Sequence, residues 1–315
     1  MRTITFKINR FDGDRAWTQA YDLNHEEGKT LLWALTKIRE EQDPTLNFTS
    51  ACRHAICGSC AVRINGHAHL ICKTSLDEIL EIYKSDELAF APQANFDVVR
   101  DLVVDWRPMT ERLETVKPWL IPTEDGAADT GFIQTPKDFH KIASPTDCIQ
   151  CGICASECEQ LAENENFLAP FILNRAYRFA VDSRDAAPSE HIRPAFENDL
   201  WKCLHCHACV SQCPKGIRLD REIAYLRQES MKMGEVDNAG ARHAYAFHDD
   251  VQSKGRLNET TLPLKTEGML KTMRRIPFAL RMVRTGKLNP LHFPKAVNGI
   301  DGVRRIYAKV KGGKK

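Results

Sequence analysis

The sequence predicts an α+β protein, in which a small domain with strands precedes an all-helical domain and a basic helical tail. Apolar and polar residues alternate over residues 1–11, which is the period of a β-strand. Residues 217–233 instead carry their leucines and isoleucines at helical spacing. Between these regions, residues 106–145 contain five prolines and are predicted to be a connector. The predicted domains are therefore residues 1–105, 106–235 and 236–315.

Smaller elements of the first domain follow from local signals. Apolar residues at helical spacing predict a helix over residues 31–38, which cannot continue through Pro44. Two short strands joined by an Asn-Gly turn are predicted within residues 61–71. Ser75 and Glu78 have the spacing of a capping box, so a short helix is expected to begin there.

Length and hydropathy limit the class of protein. A chain of 315 residues, 43% of them hydrophobic, has room for about two folded domains. No run approaches the roughly 18–20 consecutive apolar residues that a membrane-spanning helix requires. The first residues contain no apolar signal-peptide core. We therefore expect a reducing, cytoplasmic compartment, in which many cysteines indicate metal sites rather than disulfides.

Charge is unevenly distributed, although the net charge is only +2. Residues 254–315 contain 16 Lys and Arg against 3 Asp and Glu, a balance of +13. The residues before them contain 28 basic against 39 acidic residues, a balance of −11. The basic tail therefore suggests an acidic partner, an anionic membrane face or nucleic acid; the alternative is that it folds back onto the acidic body.

Twelve cysteines form three groups of four, with spacings typical of iron–sulfur sites. The first group has the plant-type [2Fe–2S] pattern, C-x4-C-x2-C with a more distant fourth cysteine. The other two have the pattern C-x2-C-x2-C-x3-C, and a proline follows the last cysteine of the third group, as in bacterial ferredoxins. The groups are Cys52, Cys57, Cys60 and Cys72; Cys148, Cys151, Cys154 and Cys158; and Cys203, Cys206, Cys209 and Cys213.

In two-cluster ferredoxins, the fourth cysteine of the bacterial pattern binds the other cluster. The fourth cysteines of the second and third groups are therefore expected to exchange places. This predicts a [4Fe–4S] site with the ligands Cys148, Cys151, Cys154 and Cys213. It also predicts a third site with the ligands Cys158, Cys203, Cys206 and Cys209. Because metal bonds would then join the two halves of the helical domain, we expect removal of iron to unfold it.

Zinc is the main alternative metal, because paired C-x2-C motifs also form structural zinc sites. Three groups, including the plant-type and the Cys-Pro forms, favour iron–sulfur clusters instead. Neither a G-x-G-x-x-G nor a P-loop pattern is present, so FAD is not expected to bind this chain itself. No Ser-His-Asp set stands out, and no catalytic residue is predicted.

The sequence resembles the iron–sulfur subunit of succinate dehydrogenase and fumarate reductase over about residues 1–235. The stretches that carry the resemblance are residues 52–53 (CR), 56–61 (ICGSCA), 64–66 (ING), 72 (C), 100–105 (RDLVVD), 117–121 (KPWLI), 176–178 (AYR), 182–185 (DSRD) and 209–216 (CVSQCPKG). This resemblance implies an N-terminal β-grasp domain of the plant-type ferredoxin kind. It also implies a C-terminal, all-α domain that is similar to bacterial ferredoxins.

The same resemblance implies partners. A flavoprotein subunit with covalent FAD would interconvert succinate and fumarate, so succinate is not expected to bind this chain. Electrons would pass between that flavin and a quinone through the three centres, as in respiratory complexes. A membrane-anchor subunit would hold the complex, and with it this chain, on the inner face of the plasma membrane.

Cys206 departs from the family pattern. Most members have three cysteines at the third centre, an apolar residue at this position and a [3Fe–4S] cluster. The additional thiol favours a [4Fe–4S] cluster, which should have a lower reduction potential because cluster type and charge set that potential. The alternative is that Cys206 is a free buried thiol.

Two further departures concern the quinone site and the tail. Glu159, Leu204 and residues 161–163 replace the family's usual quinone contacts. The tail from about residue 236 exceeds the usual family length, and residues 246–259 resemble the small iron–sulfur subunits of heterodisulfide reductases. This indicates the variant complexes whose anchor is a heterodisulfide-reductase-like subunit.

The leading hypothesis is the electron-transfer subunit of a succinate:quinone oxidoreductase. The alternative is a subunit of a methylmenaquinol- or thiol-linked fumarate reductase, or of another heterodisulfide-reductase-like oxidoreductase. A nucleic-acid-binding module is disfavoured because the tail has few aromatic residues for base stacking. The tail is instead predicted to dock to a membrane-associated partner or to the anionic membrane face.

Overall fold

The computed structural model describes residues 2–122, 131–287, 289 and 294–312. The chain divides into two compact units, one ending at Glu229 and the other beginning at Ser230. All twelve cysteines lie in the first unit. The domain boundaries at residues 105 and 235 stay predictions.

The first unit contains a five-stranded and a two-stranded sheet. The strands of the described residues, β1 to β7, are Thr3–Phe11, Ala16–Asn24, Ala61–Ile64, His67–Leu70, Glu87–Ala91, Val98–Arg100 and Val103–Val104. The larger sheet has the order β2-β1-β5-β3-β4. Strands β1 and β5 run parallel, whereas the other neighbours are antiparallel, so the sheet is mixed.

Helices make up most of the chain after the sheets. Those of the described residues, α1 to α15, are Leu31–Glu41, Leu76–Tyr83, Arg107–Thr115, Pro136–Thr146, Ile153–Ser156, Glu159–Glu163, Pro170–Ala180, Pro188–Glu197, Ala208–Ser211, Leu219–Lys232, Ala239–Lys254, Leu262–Glu267, Met269–Arg274, Ile276–Arg284 and Ile300–Gly312. A 3-10 turn spans Leu200–Lys202. None of the helices among the described residues is both long enough and apolar enough to cross a membrane.

The apolar face of the five-stranded sheet packs against α1 and α2. Ile4, Phe6 and Ile8 of β1 are fully buried, and Leu35 of α1 joins them in one cluster. Cys151 belongs to the same cluster. The core that holds the sheet together therefore reaches the first residues of the second cysteine group.

Several predicted elements are confirmed. Strand β1 covers the alternating segment, α1 begins at Leu31, and β3 and β4 both lie within residues 61–71, on either side of the Asn-Gly turn. The Ser75 hydroxyl accepts a hydrogen bond of 3.0 Å from the Glu78 backbone N–H, which is the predicted helix start of α2. In α10 the three residues predicted to share a face, Leu219, Ile223 and Leu226, are all buried.

The predicted connector over residues 106–145 contains two helices, α3 and α4, that the sequence analysis did not predict. Proline stands in the first turn of each of them, at Pro108 and Pro136. A proline in the first helical turn costs no hydrogen bond and has the right φ angle, so these residues start helices rather than break them. Residues 123–130 of the predicted connector lie outside the described residues.

The second unit consists of helices α11 to α15, with the last residues of α10. Residues 269–284 form two helices, α13 and α14, that meet at Arg275. Pro277 is the second residue of α14, in the first turn of that helix, where its missing N–H costs no hydrogen bond. The α15 segment lies along α11, where the His248 and Tyr307 rings are 4.9 Å apart and Val297 N donates to Lys254 O.

Candidate iron–sulfur centres

The loop of the first cysteine group turns its backbone N–H groups toward sulfur. His54, Ile56 and Cys57 donate N–H groups to Cys52 Sγ at 3.4, 3.3 and 3.3 Å. Ala55 N donates to Cys72 Sγ at 3.2 Å. Such N–H···S bonds stabilise anionic sulfur, so this loop is a cradle suited to thiolates.

Left-handed backbone makes this cradle. Arg53, Ala55 and Gly58 have φ angles of 58°, 54° and 74°. Two of these residues carry a Cβ, so the loop holds strained conformations that ordinary turns avoid. Strain of this kind persists only where the surrounding structure requires it, here at the exposed tip that carries Cys57.

The four thiols of the first group have different surroundings. Burial raises the pKa of Cys60 to about 12, and the neighbouring Cys72 contributes to this. Cys57 is exposed, and hydrogen bonds from Ser59 and from the Cys52 backbone lower its pKa to about 6. The group therefore has a buried side against the sheet core and an exposed side at Cys57.

The structure brings together the exchanged sets of the second and third groups. One cavity is lined by the thiols of the second group's first three residues and by one thiol of the third group: Cys148, Cys151, Cys154 and Cys213. A second cavity is lined by the remaining four: Cys158, Cys203, Cys206 and Cys209. The ligand assignment itself stays a prediction, and each cavity has four thiols as that assignment requires.

Burial disfavours the charged thiolate form of these cysteines. It raises the pKa of Cys151 to about 11 and that of Cys209 to about 12. For Cys154, burial and the neighbouring thiols together raise the pKa well above its usual value. Thiolate is the form that binds iron, so these residues bind as thiolates only where a metal centre compensates their charge. Soft sulfur donors in groups of four fit an iron–sulfur cluster.

Among residues 2–122, 131–287, 289 and 294–312, no three His, Cys, Asp or Glu side chains converge on one point as a single ion requires.

Two arginines that the sequence analysis missed hold the cysteine loops from corresponding positions. Arg175 of α7 donates to Cys148 O at 2.8 Å. Arg227 of α10 donates to Cys203 O at 2.7 Å and lies over the Trp201 ring. Each arginine therefore fixes the backbone at the first cysteine of one group. In the sequence, each arginine stands beside residues that prove to be buried, Asn174 and Ala176 for Arg175 and Leu226 for Arg227.

Side-chain amides connect the N-terminal sheet to the second cysteine group. Gln93 Nε2 donates to Cys151 O at 2.9 Å. Asn95 Nδ2 donates to Ala155 O at 2.7 Å and to Cys158 O at 3.0 Å. These amides donate to carbonyl groups within and beside the short helix α5, so they tie the segment after β5 to the second cysteine group.

The histidines near the centres contact polar groups. His67 Nδ1 lies 3.2 Å from Glu157 Oε2, whose other carboxylate oxygen accepts the Ala68 N–H at 2.7 Å. His69 faces the Tyr83 hydroxyl, and His207 Nδ1 lies 3.6 Å from Asp220. These contacts orient the loops around the thiols.

Two protein families and one solved structure indicate the class of protein to which this chain belongs. Residues 5–111 match the family described as 2Fe-2S iron-sulfur cluster binding domain, and residues 144–217 match the 4Fe-4S dicluster domain. The chain also has the fold of a chain in the Mycobacterium smegmatis Sdh1 complex, with a TM-score of 0.68 at 21% identity, covering 73% of this chain and 96% of that one. The protein is thus an iron–sulfur electron-transfer protein with a plant-type and a dicluster domain.

Curated relatives give the family. The 8-methylmenaquinol:fumarate reductase iron-sulfur subunit of Wolinella succinogenes is 46% identical over 293 residues, covering 91% of this chain and 92% of the relative. The fumarate reductase iron-sulfur subunit of Escherichia coli O6:H1 is 34% identical, covering 67% and 85%. The mitochondrial succinate dehydrogenase iron-sulfur subunit of Dictyostelium discoideum is 31% identical, covering 71% and 81%. This chain belongs to the family of iron–sulfur subunits of fumarate reductases and succinate dehydrogenases.

Proposed function

We propose that this chain conducts electrons between a flavoprotein subunit and a quinone through three thiol-bound centres in a row. When bound, the clusters supply one-electron transfer. The protein contributes the placement of the three thiol groups and their surroundings. The observation that supports this best is the contact of consecutive groups: Gly58, beside Cys57, packs on Cys151, and helix α5, which carries Cys154, contacts helix α9, which carries Cys209.

The ligands we propose for the three centres are the sets predicted above. Cys52, Cys57, Cys60 and Cys72 would hold the [2Fe–2S] cluster. The two cavities would hold the other centres, and the third centre is a [4Fe–4S] cluster because its cavity presents the Cys206 thiol as well. Iron and sulfide analysis of anaerobically purified protein tests this, and a colourless, iron-free protein would contradict it.

For the whole complex, we propose a fumarate reductase that uses a menaquinol-type donor. A match covering 91% of this chain must include most of the segment beyond residue 235. The W. succinogenes subunit therefore has a counterpart of this tail. This similarity supports a similar assembly of subunits. The partners would be an FAD-containing flavoprotein and a heterodisulfide-reductase-like anchor, peripheral on the inner face of the membrane.

Purification of the native complex tests these assignments. We expect the tagged chain to bring down a covalently flavinylated subunit and a cysteine-rich subunit. Fumarate should be reduced with naphthoquinol donors faster than with benzoquinol donors, and thiols should not replace the quinol. Efficient fumarate reduction by thiols would favour the thiol-linked alternative, and a haem-containing anchor would exclude the variant complex.

A further inference from the structure

The second unit presents an exposed apolar stripe on helices α13 and α14. Its members, spaced by four, three, four and three residues, share one side of the two helices: Met269, Met273, Ile276, Leu280 and Val283. Their relative exposure ranges from 36% to 68%. Scattered exposed apolar residues are ordinary, but five on one helical side form a contiguous surface that demands an explanation.

Most of the cations that flank this stripe have no ion pair among the described residues. Residues 268–300 contain seven Lys and Arg and no Asp or Glu. On the two helices, Arg275 pairs with Glu267 of α12. Among the described residues, ion pairs are absent for the other four basic side chains of the helices, Lys271, Arg274, Arg281 and Arg284, all of them exposed. The surface therefore combines apolar side chains with unneutralised positive charge.

We propose that α13 and α14 form a binding surface for an anionic lipid bilayer. An amphipathic helix lies in the membrane interface when one side is apolar and the remainder is rich in Lys and Arg. Apolar side chains then enter the acyl boundary while the cations meet lipid phosphates. Neither helix is long enough to span the bilayer, so the segment lies on the surface.

The combination of apolar and charged side chains favours a bilayer over the two other candidate partners, nucleic acid and protein. Nucleic acid would use the cations but leave the apolar stripe in water, and α13 and α14 offer Phe278 as their one aromatic side chain for stacking. A protein partner would have to provide an apolar groove rimmed by several acidic residues. An anionic bilayer provides apolar and negatively charged layers over the whole length of the stripe.

Flotation of the full-length, cluster-loaded chain with lipid vesicles tests the proposal without any partner subunit. We expect binding to vesicles of equal parts phosphatidylglycerol and phosphatidylcholine at about 50 mM salt, and none to pure phosphatidylcholine. The double substitution Arg281→Gln with Arg284→Gln should weaken binding roughly 30-fold, since each cation contributes about a factor of five. Met273→Ser with Leu280→Ser should also weaken it.

Matched controls are Lys84→Gln with Lys137→Gln for the cations and Ile82→Ser, at 56% exposure, for the apolar residues. These variants should bind vesicles as the native chain does, and every variant should keep its visible absorption. Unchanged vesicle binding in both the arginine variant and the Met273 and Leu280 variant would overturn the proposal. The absence of binding to vesicles that contain phosphatidylglycerol would also overturn it. If no vesicle binding is found and the variants instead lose a partner subunit from the complex, the surface binds a protein. The outcome does not depend on which quinone the complex uses.

Discussion

A Cβ atom added to Gly58 would lie 2.6 Å from the Cβ of Cys151, closer than real Cβ contacts come. Gly58 follows Cys57 at the exposed tip of the first cysteine loop, and Cys151 lies in the second group. The backbone of one cysteine loop thus rests directly on the other. Glycine at this position is what allows the two thiol groups to approach, because any side chain would separate them.

Gly58→Ala is expected to push the two loops apart and to destabilise the first unit. The clash with Cys151 and the φ of 74° each add a cost, together about 2–4 kcal/mol in the free energy of unfolding. Transfer of electrons from the first centre to the second should slow, which freeze-quench EPR can follow. Gly66→Ala is the matched control, because it has a φ of 94° and open space around it. Equal effects of both substitutions would refute the contact argument.

Asp101→Asn is expected to lower the free energy of unfolding by about 3–5 kcal/mol, because it leaves the buried Arg10 with one carboxylate fewer. Arg10 Nε donates to Asp101 Oδ1 at 2.8 Å, and both side chains are buried. Urea unfolding followed by circular dichroism measures this. Asp86→Asn, which breaks an exposed pair with Arg2, should cost less than about 1 kcal/mol. A loss at Asp101 as small as that at Asp86 would contradict the prediction.

Cys206→Ala is expected to convert the third centre into a [3Fe–4S] cluster. The native protein as isolated should then lack the EPR signal of an oxidised [3Fe–4S] cluster, and the variant should show it. The third centre of the variant should also have a higher reduction potential. A strong [3Fe–4S] signal in undamaged native protein would instead identify Cys206 as a free thiol. Cys209→Ala serves as the comparison, because loss of this more buried thiol should remove the centre altogether.

Chelation of iron under anaerobic conditions is expected to unfold the helical region around the second and third groups. Each cavity takes thiols from both halves of this region, and burial together with the neighbouring thiols raises the pKa of Cys151 and Cys209. Without iron, these thiols no longer tie the two halves together. Helical circular dichroism should fall with the visible absorption. Retained helicity with a cooperative melting transition would show that the apolar core suffices.

Glu222→Gln is expected to stabilise the protein at alkaline pH. Burial raises the pKa of Glu222 to about 7, although Asn174 Nδ2 donates to its carboxylate at 3.0 Å. The folded chain therefore keeps a proton that the unfolded chain releases from about pH 4.5 upward, so stability falls as pH rises from there to about 7 and is then constant. The substitution should raise the unfolding free energy by up to about 3 kcal/mol at pH 8.

The same substitution should change little near pH 4, where both states hold the proton. Melting temperatures of native and variant protein across this pH range measure the difference. Parallel pH profiles for the two proteins would show that Glu222 does not carry the dependence.

The sequence by itself determined the elements with short-range causes. Alternation identified β1, the Ser75 hydroxyl identified the start of α2, and cysteine spacing identified three groups of thiols. These features act within a few residues along the chain, so they are visible without tertiary contacts. The helices at Pro108 and Pro136 were missed because the same residue starts a helix in its first turn and breaks it elsewhere.

Only the tertiary structure decided which residues from distant parts of the chain are in contact. Spacing predicts the exchange of Cys158 and Cys213, but only the packing of α7 and α10 places Arg175 and Arg227 against the first cysteine of each group. Nor could spacing show that Gly58 rests on Cys151, about ninety positions later. Such contacts depend on packing between distant segments, for which a single sequence carries no local signal.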